Sequence, residues 1–184
     1  GDKMDLKLPK SQRKLMEAVA ETGKPVVLCL MAGSDIDMSY AAEHFNGILQ
    51  LWYAGARGGK AVAEILFGDV SPSGKLPVTF YESLEELPEF TDYSMEGRTY
   101  RYMRGKAQYP FGYGLTYSKV EVTAASVVQE ESGASVYATV KNNGGVKTDD
   151  VVQVYVKCTD SDYAVPNPQL SAFKRVHLMP GEEV

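Results

Sequence analysis

The chain has 184 residues, 44% of them hydrophobic and 23% charged, values of an ordinary globular protein. Its 19 basic and 24 acidic residues leave a net charge of -5, without the basic excess that a phosphate backbone demands. That balance excludes a general nucleic-acid binder, and no apolar run approaches the ~20 residues of a membrane span. Leu15, Ala18, Val19 and Thr22 recur at helical spacing and predict a helix over 11–22, with Ser11 as N-cap and Gly23 as its stop. The apolar run 25–31 predicts a strand buried on both faces. A short helix is expected over 40–45, behind Ser39. GILQLWY, residues 47–53, reads as a second strand that ends in Trp52 and Tyr53, and residues 59–67 as a second clear helix. Helices and strands with short links imply a layered α/β arrangement with parallel strands. From Val120 the pattern changes. Val136, Ala138 and Val140 alternate, Asn142-Asn143-Gly144-Gly145 supplies turn residues, and Val152, Val154 and Val156 alternate again. Such strands predict an immunoglobulin-like β-sandwich, in a stretch shorter than the ~100 residues that a complete one uses.

Cysteine and histidine are scarce. Cys29 and Cys158 form no CxxC pair and are expected to be buried free thiols; His44 and His177 are isolated and read as structural. Neither a metal site nor a histidine-activated nucleophile is expected. Unpaired cysteines fit a cytoplasmic protein, and no signal-peptide pattern is read at Gly1.

The stretch LWYAGARGGKAVAEILFGD sets a glycine-rich loop between a strand and a helix, the context of a phosphate cradle. The residues do not complete one. A Walker loop needs Ser or Thr after its Gly-Lys, where Gly59-Lys60 is followed by Ala61, and Ala54 stands where the loop's first glycine belongs. Gly55-Ala56-Arg57-Gly58-Gly59 does not supply the dinucleotide fingerprint either. Glycines that let the loop pack closely over a sheet edge are the better reading.

GILQLWYAGARGGKAVAEILFGDVSPSGKLPVTF resembles a long pattern of the family 3 glycoside hydrolases. EGRTYRYMRGKAQYPFGYGLTYSKV, LKLPKSQRKLMEAV with Gly1-Asp2-Lys3 before it, and VKNNGG, DDVVQVYV and LSAFKRVHLMPGEEV are similar to further segments of that family, in order and with matching spacings. The resemblance implies the C-terminal α/β sandwich domain over 1–117, its N-terminal part missing. An incomplete fibronectin III-like β-sandwich would follow over 118–184. It also implies an N-terminal TIM-type barrel as partner domain, a β-linked glycoside as substrate and no cofactor.

Enzymes of this family that resemble the chain are retaining exo-acting β-glycosidases, in which two carboxyl groups about 5 Å apart do the chemistry. By resemblance, the nucleophilic aspartate lies on the barrel and the acid/base glutamate just before the Gly-Asp-Lys motif, so both are expected upstream of Gly1. The chain alone is then expected to be inactive. The local candidates for a substrate cleft are Asp35 and Asp37, in AGSDIDMSY after the first strand, and Trp52, Tyr53 and Arg57. Asp37 or Ser39 would serve equally as a helix cap. Trp52 would serve equally as core, and Tyr53 as a stacking surface for a sugar. Arg57 stands where many family members have a carboxylate, and Lys3 where they have arginine, which loses the planar fork. Tyr100, Tyr102, Tyr109, Phe111, Tyr113 and Tyr117 form an aromatic segment expected to join the two domains. The alternative reading is a non-catalytic carbohydrate-binding or interaction module. Nucleotide binding is a third reading, and the failed loop motifs speak against it.

Overall fold

Pro9 rather than Ser11 starts the first helix, α1, Lys10–Ala20. Proline's fixed φ suits the extended cap position, and its carbonyl accepts the amides of Gln12 and Arg13 at 2.9 and 3.0 Å. Ser11 falls inside the first turn and caps nothing. The helix ends at Ala20, two residues short of the expected end, and a turn carries the chain to Gly23. Gly23 has φ +64, a left-handed conformation that glycine adopts without strain, and the Thr22 hydroxyl donates to the Val19 carbonyl at 2.7 Å. The computed structural model describes residues 4–184, so the Gly1-Asp2-Lys3 motif lies outside the described residues.

Strands β1 (Val27–Leu30) and β2 (Gly47–Gln50) pair in parallel, with Val27 opposite Gly47 and Leu30 opposite Gln50. Helix α2 (Ser39–His44) lies between them in the chain. Asn46 closes the start of the ladder, its Oδ1 accepting the Val26 amide at 2.9 Å and its own amide donating to the Val26 carbonyl at 2.8 Å. Leu30, Ile36 and Met38 are buried together, with Leu8, Leu28, Ala32, Ile48 and Tyr109 packed around them. The expectation of a first strand buried on both faces is corrected here. Leu28 and Leu30 turn to that cluster, whereas Val27 and Cys29 are exposed because no described element covers their face. Cys158 is likewise a free, exposed thiol rather than a buried one.

Helix α3 (Gly58–Leu66) follows and ends before Gly68, at φ +80. The two-residue strand β3 (Phe80–Tyr81) comes next, then helix α4 (Thr99–Tyr102) and strand β4 (Ala107–Tyr109), which pairs antiparallel with β3. Between β3 and α4, the Arg98 guanidinium donates to the carbonyls of Pro88, Glu89 and Asp92 at 2.7–3.3 Å and fixes an otherwise irregular loop. Contacts gather these elements into one unit, residues 1–62 with 77–111; residues 63–76 with 112–184 form the other, and α3 begins in the first and ends in the second.

The second unit holds two antiparallel ribbons, β5 (Val120–Glu130) with β6 (Gly133–Asn142), and β7 (Thr148–Val156) with β8 (Gln169–Leu178). The C-terminal residues add to β6, where Val140 and Val184 exchange amide–carbonyl bonds of 2.8 and 2.9 Å. Asn142 is fully buried at the end of β6. It donates from Nδ2 to the Val146 and Leu178 carbonyls, and its Oδ1 accepts from the Ser118 hydroxyl and the Gly144 amide. Loops 71–76 and 112–118 belong to this unit for a physical reason. Lys75 Nζ lies 2.7 Å from both Asp150 Oδ1 and the Gly114 carbonyl, and Thr148 Oγ1 donates to the Ser71 hydroxyl at 2.8 Å. The aromatic segment divides accordingly. Tyr100 stacks on Phe111 in the first unit (centroids 4.1 Å apart), and the Tyr117 hydroxyl donates to the Ile65 carbonyl in the second. No helix among the described residues is long and apolar enough to cross a membrane.

Candidate functional site

Open α/β sheets place their functional loops at the carboxyl ends of parallel strands. In the first unit these are the loops that follow β1 and β2. They are stitched together: the Leu51 amide donates to the Leu30 carbonyl at 2.8 Å, and Gln50 Nε2 to the Ala32 carbonyl at 2.7 Å.

Asp35 reaches across to β3, its Oδ2 accepting the Tyr81 amide at 2.8 Å. The Tyr81 hydroxyl in turn accepts the Thr99 amide at 2.6 Å. Burial raises the Tyr81 phenol above its ordinary range against the pull of that amide, and the Asp35 charge adds to the rise. Asp35 is thus a tie between the β1 loop and β3.

Asp37 has a different set of partners. Its Oδ1 accepts the Ser39 amide at the start of α2 (2.9 Å), and its own amide donates to the Leu6 carbonyl at 2.8 Å. Gln108 completes the cluster, accepting the Met38 amide at 2.9 Å and donating to the Ser39 hydroxyl at 2.8 Å. Burial pushes the Asp37 carboxyl up, but hydrogen bonds from Ser39 and Gln108 and the Lys7 charge together hold it below its ordinary range. A carboxylate held ionised in this way carries no proton to give a leaving group near neutral pH, so the geometry does not equip Asp37 as a general acid. Asp37 also borders a cleft of about 380 Å³, shared with Lys7, Arg13, Ser39, Tyr40 and Glu43.

Trp52 and Tyr53 do not end the second strand, which stops at Gln50. The reason is the backbone of Trp52, at φ +51, where a bulky side chain is strained. Its ring packs edge-on against Phe80 at 6.3 Å between centroids, and Phe80 edge-on against Tyr109 at 6.4 Å. Trp52 is therefore held inward. Tyr53 is turned the other way and is 78% exposed.

Arg57 flanks the start of α3, its carbonyl accepting the Ala61 amide at 3.2 Å. Its exposed guanidinium has no ion-pair partner among the described residues. The preceding glycine loop closes on itself, with the Gly58 amide on the Gly55 carbonyl at 3.1 Å and Gly55 at φ +70. A Cβ at Gly58 would stand 2.9 Å from that of Ala54, so this glycine serves close packing. Asp35 and Trp52 thus converge on β3, Asp37 sits in a separate cluster, and Arg57 has no ion-pair partner among the described residues to join it to either. Tyr81 and Gln108 carry no signal in the sequence, because each matters through a partner distant in the chain. Among the described residues, no group of three His, Cys, Asp or Glu is placed to hold a metal.

The glycosyl hydrolase family 3 C-terminal domain matches residues 1–117, and a fibronectin type III-like domain matches residues 150–184. A xylan 1,4-beta-xylosidase of Xylanibacter ruminicola is 41% identical over 184 residues, covering 99% of this chain and 21% of the relative. A periplasmic beta-glucosidase of Salmonella typhimurium is 34% identical, over 99% of this chain and 26% of its own length. The chain thus spans about a fifth to a quarter of the curated relatives that it matches. The crystal structure of a beta-glucosidase from Bifidobacterium adolescentis superposes with a TM-score of 0.91 at 34% identity, over all of this chain and 29% of that one. The fold is an α/β layer followed by a fibronectin III-like β-structure, and the chain belongs to glycosyl hydrolase family 3 through its C-terminal domain.

Proposed function

We propose that this chain is the C-terminal portion of a retaining, exo-acting β-glycosidase that removes terminal β-linked glucose or xylose. The observation that carries the reading is the collinear match along the chain to relatives named for β-xylosidase and β-glucosidase activity. The site geometry agrees with it. Asp35 holds the Tyr81 amide and Asp37 the start of α2, so each has a structural task. Nucleophile and acid/base are assigned to the part of the enzyme outside this chain, on and just beyond a TIM-type barrel. The aspartate there attacks the anomeric carbon, and the glutamate protonates the leaving oxygen and then activates water. The C-terminal edge of β1 and β2 supplies a wall for the substrate. A family boundary near residue 117 completes this arrangement.

A second reading, a carbohydrate-binding module without catalysis, draws on exposed Arg57 in place of the carboxylate carried by many members. Reading the open frame upstream of Gly1 and expressing both products separates the two. The longer product is expected to hydrolyse p-nitrophenyl β-xyloside or β-glucoside, and the 184-residue chain alone to release no nitrophenol above buffer. An inactive longer product that still binds sugar would favour the module.

A further inference from the structure

Three features of the loop after β2 coincide at Tyr53. Trp52 occupies the left-handed region at φ +51, a conformation that costs a non-glycine residue about 1–3 kcal/mol and persists only where the surroundings enforce it. The enforcing contact is the edge-on packing of its ring on buried Phe80. The consequence of the reversed backbone is that the next side chain, Tyr53, leaves the strand direction and lies over Gly33. A Cβ at Gly33 would stand 2.5 Å from Tyr53 Cε2 and 3.1 Å from Cζ, so only a glycine leaves room for the ring. Gln50 fixes this bed from below by holding the Ala32 carbonyl at 2.7 Å.

The ring is nevertheless 78% exposed, and its hydroxyl has no hydrogen-bond partner among the described residues. The next residues along the chain, Ala54, Gly55 and Ala56, are small, and Gly33 and Ser34 on the other loop are small and exposed. An exposed aromatic ring with a free hydroxyl, set beside small side chains and backbone, offers one flat apolar face with polar groups at its rim. It matches a pyranose. The axial C–H groups of a β-linked glucose or xylose unit form a flat apolar face that packs on the negative face of an aromatic ring, while the equatorial hydroxyls remain at the rim for polar groups.

We infer that Tyr53 is an aromatic platform on which a pyranose ring of the substrate stacks, set in place by left-handed Trp52 and the bare backbone of Gly33. This assigns different tasks to two neighbouring aromatics, with Trp52 a positioning residue and Tyr53 the one that touches sugar. The inference rests on the glycosidase reading for its ligand class, and its test does not depend on catalysis.

The test is saturation-transfer NMR of the 184-residue chain with xylobiose and cellobiose, with sorbitol as a ringless polyol control. Transfer to the axial ring protons of either disaccharide is expected, and none to sorbitol. Tyr53→Phe should keep the signal, and Tyr53→Ala should reduce it about fivefold or more, the worth of one aromatic stacking contact. Gly33→Ala should reduce it too by displacing the ring. Circular dichroism confirms that each variant is folded, and the exposure of Tyr53 makes Tyr53→Ala a safe substitution. No transfer to either disaccharide, or equal transfer in wild type and Tyr53→Ala, would overturn the platform. Sugar binding that depends on Tyr53 in a protein whose longer product hydrolyses no glycoside would leave the platform standing and remove the glycosidase reading.

Discussion

Asn142 is the residue on which the second unit turns. Its side chain and backbone bond Ser118, Gly144, Val146, Leu178, Gly181 and Glu182, so it joins the end of β6 to the end of β8 and to the chain terminus. Removing the amide leaves several buried groups without partners. Asn142→Ala is expected to lower the unfolding free energy by about 3 kcal/mol, read from urea denaturation, because each buried unsatisfied group costs about 1–3 kcal/mol. The sequence showed Asn142 only as a turn residue. Its burial follows from carbonyls of β8 and its flanks, which no local pattern announces. Asp37 was more legible, since an aspartate two residues before a helix start has few common roles. Asp37→Ala should cost about 1 kcal/mol of stability, as the loss of a helix-start acceptor does. In the longer enzyme it should leave kcat within a few-fold of wild type.

At the scale of elements, helices α1 to α3 and the β1–β2 pair were legible because their apolar spacing is regular, whereas the four-residue α4 is too short to show a period. Strand β5, VEVTAASVVQE, was not, since its alternation breaks at a register shift between Val122 and Ala124. Strand β2 was read too long because nothing local marks Trp52 as left-handed; the cause is Phe80, far along the chain. The loop 71–76 is held to β7 by Lys75 and Asp150, whose side chains are 17% and 20% exposed. Lys75→Met strands a half-buried carboxylate and should destabilise the second unit by about 1–3 kcal/mol, with Asp150→Asn on the same chain recovering part of the loss.

Ribbon β7–β8 carries a pH-dependent tie. Hydrogen bonds from His177 and Arg175 hold the Asp149 carboxyl below its ordinary range. A depressed folded-state value means that the stabilisation is present above the unfolded carboxylate range and is lost as the pH falls through the folded value. Both partners are largely exposed, which limits the effect to less than about 1 kcal/mol. The unfolding midpoint of Asp149→Asn should lie slightly below that of wild type near neutrality, and the gap should close below about pH 4. A gap that persists at low pH would show that the tie acts through packing rather than charge.

At the scale of the molecule, the resemblance along the chain made the fold readable, and it also directed the chemistry elsewhere. What the sequence could not show is that Asp35 is spent on the Tyr81 amide and that Tyr53 lies over Gly33. These are relations between residues distant in the chain, created by its folding. The covalent chemistry of the proposed enzyme is assigned to residues outside 1–184. The most direct measurement is active-site labelling of the longer enzyme with an activated 2-deoxy-2-fluoro-β-xyloside or -glucoside, which traps the glycosyl-enzyme of a retaining mechanism, followed by peptide mapping. One labelled aspartate is expected, on a peptide outside this chain. A label on Asp35, Asp37 or any other carboxylate within it would place the nucleophile in this chain and overturn the assignment.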